Sequence, residues 1–86
     1  MYKIKIITHG IFKEYLEEEI KLTLEKKENL LFIKNYLIKE FLKDEFKFLE
    51  KILNKSVFSS KNKILNENYV IENEDIINLL PPFSGG

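Results

Sequence analysis

The chain has 86 residues, 44% of them apolar and 13% aromatic, enough for one modest core and too little for a second cofactor-binding domain. Fourteen Lys balance fourteen Asp and Glu, and no Arg is present, which argues against a nucleic-acid binder built on guanidinium contacts. The absence of Cys excludes disulfides and thiolate chemistry, and the single His9 excludes a multi-histidine zinc site.

Residues 2–8 read as a strand. Tyr2, Ile4 and Ile6 alternate with Lys3 and Lys5, and Ile7 then puts an apolar side chain on the lysine face. His9-Gly10 marks a turn, with His9 read as a solvated turn residue, and 11–17 a short helical turn. Residues 18–25 form a second strand, with Ile20, Leu22 and Leu24 on one face. The run Glu17-Glu18-Glu19 reads as a solvated face.

Asn29 is a good helix N-cap, since its side-chain oxygen can accept an amide hydrogen bond from the first turn. Leu30, Ile33, Leu37 and Phe41 follow at helical spacing, and Leu42, Phe46, Leu49 and Leu53 continue it. One bent helix and two helices restarting at Asp44 fit this pattern equally. Short extended pieces are expected at 57–58, 64–65 and 69–71, with turns at 66–68 and 73–75. Ile76 to Leu80 form the last strand, which Pro81-Pro82 end. The order gives an α+β domain over residues 1–80, a mixed sheet with helix packed on one face, and a tail over residues 81–86. No apolar run is long enough to span a membrane and the start lacks a signal-peptide pattern, so a cytoplasmic protein is expected.

The tail carries the chemistry. Pro81 and Pro82 stiffen the exit from the strand, and Gly85 and Gly86 make a thin end that fits a channel too narrow for a Cβ. The Gly86 carboxylate is ionised at neutral pH and is a poor electrophile until it is activated, most simply by ATP as an acyl-adenylate.

The stretch from Ile64 to Gly86 resembles the small, sulfur-carrier subunit of molybdopterin synthase, in the MoaD/ThiS group of ubiquitin-like proteins. The resemblance rests on Leu79-Leu80-Pro81-Pro82 and Ser84-Gly85-Gly86, with Asn66 after Ile64-Leu65 matching a turn position. Gly10, Lys13 and Glu14 resemble the turn after the first strand. The chain departs from the pattern at Glu74, where the family has a Gly that permits positive φ, and at Phe83, where it has a smaller residue. Thr8-His9 stands where the family often has an aromatic, and the helical stretch after residue 42 is longer.

The resemblance implies a β-grasp fold and a carrier without catalytic side chains of its own. Gly86 would be adenylated by an ATP-dependent adenylyltransferase, converted to a thiocarboxylate, and inserted into the large subunit of molybdopterin synthase. Sulfur would pass there to cyclic pyranopterin monophosphate. No tightly bound cofactor is implied, ATP being used by the activating enzyme. The expected assembly is a heterotetramer, one small subunit on each half of a large-subunit dimer, with neither nucleic acid nor membrane as partner. The alternatives are a sulfur carrier for another acceptor, such as the thiazole of thiamine, a ubiquitin-like protein modifier, and a plain interaction module with a frayed tail.

In a β-grasp the first and last strands are neighbours. Asn78 marks the outward parity of the last strand, so Ile76 and Leu80 point outward with it. Together with Ile7 they would form an exposed apolar patch at the root of the tail. Ile7, Ile76, Leu80, Pro81, Pro82, Phe83, Ser84 and Gly85 are therefore the expected partner-binding residues, and Gly86 the reacting one.

Overall fold

The computed structural model describes residues 1–82. The chain folds as β1 (Tyr2–Thr8), α1 (Ile11–Tyr15), β2 (Glu19–Leu24), α2 (Leu30–Tyr36), α3 (Leu49–Asn54), β3 (Val57–Ser60), β4 (Lys63–Leu65) and β5 (Ile76–Leu80). The strands form one mixed sheet in the order β2-β1-β5-β3-β4. The β1 strand pairs antiparallel with β2 and parallel with β5, and β3 pairs antiparallel with both β5 and β4. Thus β5, which leads into the tail, is the central strand.

The alternation in the sequence becomes a two-faced sheet. Ile4 and Ile6, Ile20 and Leu22, Phe58, and Ile77 and Leu79 are buried together with Leu30, Ile33 and Leu37 of the helical layer and Leu49 and Leu53 of α3. Burying each such side chain contributes about 1.5–3 kcal/mol. The parity inferred from Asn78 is correct: Ile77 and Leu79 are fully buried while Ile76 is exposed.

The long apolar periodicity of residues 30–53 resolves into separate pieces. Asn29 caps α2 as expected, its Oδ1 accepting from Phe32 N at 2.9 Å. A wider π turn covers Leu37–Phe41, then Leu42 turns extended (φ −86°, ψ 115°) and stops the helix. Asp44 starts a 3₁₀ turn to Phe46, and α3 begins at Leu49. Leu42 is nevertheless buried, because its extended backbone still directs the side chain into the core. The extended piece at 69–71 is a single bridge, Val70 to Asn29, and not a strand. The β3–β4 hairpin turns on Lys61 and Asn62, both at positive φ, the two-residue geometry that matches strand twist.

The turn before β5 keeps the backbone that glycine would give, although Glu74 occupies it at φ 66°. Its amide donates to Lys3 O at 2.6 Å, and the Asn73 Oδ1 accepts from Lys3 N at 2.8 Å, so pairing to β1 holds the residue in place. A left-handed non-glycine residue costs about 1–2 kcal/mol, and glycine's extra unfolded-state entropy returns about 0.4–1 kcal/mol of that. Glu74→Gly is therefore expected to stabilise the protein by about 0.5–1 kcal/mol in urea unfolding. A loss of stability would contradict this account.

The same turn carries a titrating group. Asp75 Oδ2 accepts from Glu72 N at 2.7 Å and from the Tyr69 hydroxyl at 2.9 Å. Burial, and then the hydrogen bond to Asp75, push the Tyr69 phenol above its ordinary value of 10.0. The folded state thus holds this proton more tightly than the unfolded state. The resulting stability is complete below pH 10 and is lost as pH rises through the folded value. As pH rises through 10 and beyond, the wild type should lose more stability than Tyr69→Phe, as read from paired denaturation curves.

Candidate functional site

The site is built on β5 and the strands beside it. On the sheet face away from the helices, Ile7 of β1 lies opposite Asn78, and Ser59 of β3 flanks Asn78 on the other side. Ile76 sits opposite Lys5, and Leu80 opposite Val57. Ile64 extends the row from β4 through its pairing with Ser59. Ile76 and Ile64 are 55% and 68% exposed, and Ile7, Leu80 and Val57 are half-buried. The three apolar residues expected at the root of the tail thus share one face. The sequence reading missed Val57 and Ile64. Their signal was the parity of β3 and β4, which is hard to read in strands of four and three residues.

One flank of this face is basic. Lys3, Lys5 and Lys21 line a shallow groove of about 560 Å³ with Ile76 and Glu74. Lys5 and Lys21 stand directly opposite each other, and Lys5 bonds diagonally to Glu19 at 3.2 Å. The acidic run is a solvated face as expected: Glu17, Glu18 and Glu19 are all exposed, and Glu18 reaches Lys13 at 3.4 Å.

The β1–α1 connection closes the upper end of the site. Thr8 is buried, and its hydroxyl donates to the carbonyls of Glu17 at 2.8 Å and Glu18 at 3.1 Å. His9 is not the solvated turn residue read from the sequence. It is half-buried, with Nε2 2.8 Å from Asn78 Oδ1, and so ties this loop to β5. Gly10 follows at φ 58°, ψ −133°, a backbone region open mainly to glycine. Its Cα faces the Pro81 ring, and a Cβ placed there would lie 3.0 Å from Pro81 Cγ.

Pro81 is half-buried against this loop and Pro82 is exposed. Phe83, Ser84, Gly85 and Gly86, the remaining expected site residues, lie outside the described residues. The described part thus combines a partly exposed apolar surface with a stiff exit for the chain at Pro81 and Pro82. Among the described residues no helix is long and apolar enough to cross a membrane.

No protein-family model matches the chain, and no curated protein matches it. Among solved structures it is similar to the crystal structure of SAMP1 from Haloferax volcanii, with a TM-score of 0.66 and 11% identity over 98% of this chain and 99% of that one. At that identity the likeness speaks for the fold, and with the observed topology it establishes a small α+β protein of the β-grasp, ubiquitin-like fold.

Proposed function

We propose that this protein is the sulfur-carrier subunit of a molybdopterin synthase, with Gly86 as its reactive carboxyl terminus. The observation that carries the reading is the junction of fold and tail. A Leu79-Leu80-Pro81-Pro82 exit leaves the central strand of a β-grasp sheet beside an exposed apolar patch, and Ser84-Gly85-Gly86 follows. The patch of Ile7, Ile76 and Leu80 would dock on the large subunit and on the activating adenylyltransferase. The tail would deliver its end into their active sites.

The chemistry runs in three balanced steps. A Gly86 carboxylate oxygen attacks the α-phosphorus of ATP, forming the acyl-adenylate as pyrophosphate leaves. A sulfur nucleophile at the oxidation level of hydrosulfide attacks the acyl carbon, AMP departs, and loss of a proton leaves a thiocarboxylate. In the large subunit the thiocarboxylate sulfur attacks a carbon of cyclic pyranopterin monophosphate and displaces an oxygen substituent from it; water then cleaves the acyl–sulfur bond, leaving the sulfur on the pterin as a thiolate and the carboxylate on Gly86. This chain's part is to present and position the tail.

Intact mass after incubation with ATP, a sulfide donor and the cognate adenylyltransferase tests the reading. The expected result is a gain equal to one oxygen replaced by sulfur, localised to Gly86 and abolished when Gly86 is deleted. An unchanged mass with an enzyme that is active on its own control substrate would overturn it. Adducts of Gly86 on lysines of other proteins would assign the chain to protein modification instead, and sulfur transfer to a thiazole precursor would reassign the acceptor.

A further inference from the structure

The contact between Gly10 and Pro81 joins residues far apart in sequence at the point where the tail leaves the body. We infer that Gly10 is a positioning residue: it sets the direction in which the tail leaves the sheet and so governs whether the Gly86 carboxylate reaches a partner's active site. This inference rests on the carrier reading above.

The loop that carries Gly10 cannot easily yield. On one side His9 Nε2 is bonded to Asn78 Oδ1 at 2.8 Å. Behind it, the Thr8 hydroxyl is bonded to two carbonyls of the segment leading into β2. Ahead of it, Phe12 N donates to His9 O at 3.2 Å and Lys13 N to Gly10 O at 3.0 Å, starting α1. Against this clamped loop lies Pro81, whose Cγ and Cδ would be 3.0 and 3.5 Å from an added Cβ. With the loop held, the ring must give way. Pro81 is only half-buried, and its φ is fixed by its own ring, so the adjustment falls on the orientation of the chain at the tail root. Pro82 follows directly and its ring also fixes φ, so a rotation at Pro81 redirects the chain that continues into the tail. A misplacement of about 1 Å at a reacting centre can cost about a hundredfold in rate.

The docking patch is made by Ile7, Ile76 and Leu80, and Gly10 is not part of it. Binding of the body and delivery of the tail should therefore respond differently to the same substitution. The test is a double-mutant cycle of Gly10→Ala and Pro81→Ala in the full chain, with the cognate adenylyltransferase and ATP. Its readouts are the affinity of the complex, kcat for acyl-adenylate formation, and the unfolding midpoint of each variant. Gly10→Ala should lower kcat about tenfold or more while affinity stays within about twofold. In the Pro81→Ala background, where Cγ and Cδ are gone, it should lower kcat by less than about twofold. Backbone strain at positive φ is common to both backgrounds and cancels in the cycle.

An equal effect of Gly10→Ala in both backgrounds, or none in either, would overturn the inference. So would a loss explained by the fraction unfolded. If Gly10→Ala does not fold, His9→Ala frees the loop without adding an atom at position 10. It should lower kcat at unchanged affinity, and unchanged kcat would overturn the inference. A wild-type chain that the active enzyme never adenylates would overturn the carrier reading itself, a result distinct from all of these.

Discussion

Lys34→Ala is expected to destabilise the protein by about 3 kcal/mol, which for a domain of this size lowers Tm by about 15 °C. Lys34 lies on α2 and is only 4% exposed. Its ammonium donates to Ser56 O at 3.1 Å, to Asn54 O at 3.3 Å and to Glu67 Oε2 at 2.9 Å. One side chain thereby satisfies the carboxyl end of α3, the entry to β3 and the turn after β4. Its methylenes pack in the interior while the head neutralises orphan carbonyls where the helix dipole is negative.

Truncation removes both contributions. Each buried methylene is worth about 0.8 kcal/mol, and a buried carbonyl stripped of its donor costs about 1–3 kcal/mol. Glu67 is half exposed and can return to water, so the loss falls short of the full penalty for an isolated buried charge. Lys34→Met separates the two parts. It keeps the apolar stem and loses only the donors, so it should recover about 1–2 kcal/mol of the alanine defect. Urea unfolding of the three proteins measures this. A loss below about 1 kcal/mol for alanine would show that water replaces the ammonium at no cost.

Lys34 also shows where sequence reading stops. A lysine inside an amphipathic helix reads as a solvated residue, because lysine is almost never fully buried unless paired. Its partners lie 20 to 33 residues away, and nothing local announces them. The contact of Gly10 with Pro81 is similarly hidden, although each residue reads correctly by itself as turn and strand end. The break at Leu42 was obscured for a different reason. The apolar spacing continues through it, since the residue is buried whether its backbone is helical or extended.

By contrast, the strands were legible because one face of the sheet is dry and the other wet. A period of two then admits a single register, and one polar residue, Asn78, was enough to choose it. That Ile7, Ile76 and Leu80 share the outer face follows from that choice directly. The stiff exit from β5 was legible because Pro81 and Pro82 each fix φ without any tertiary context. The turn at Glu74 lies between these cases. Its sequence departs from glycine, yet the pairing of Lys3 with Asn73 and Glu74 imposes the glycine-like backbone.

That register makes a sharp prediction about docking, again resting on the carrier reading. Ile76→Asp should weaken binding to the large subunit at least about thirtyfold, corresponding to about 2 kcal/mol or more, the scale of an interface hot spot. Ile76 is more than half exposed, at the centre of the sheet and beside the tail root, so the fold loses little buried area when it changes. Aspartate is a poor strand residue, which costs the fold up to about 1 kcal/mol. Lys5 stands opposite and offers the new carboxylate a counter-ion, which limits that cost. In the complex the same carboxylate would be taken out of water against an apolar partner surface, where its desolvation is not repaid. Leu31→Asp supplies the control, since Leu31 is 42% exposed on α2 and belongs to the helical layer. It introduces the same charge and should change binding by less than about twofold. Equal losses from the two variants would mean that net charge alone governs the encounter. An undiminished affinity for Ile76→Asp, with its fold intact, would move the docking surface off this face of the sheet.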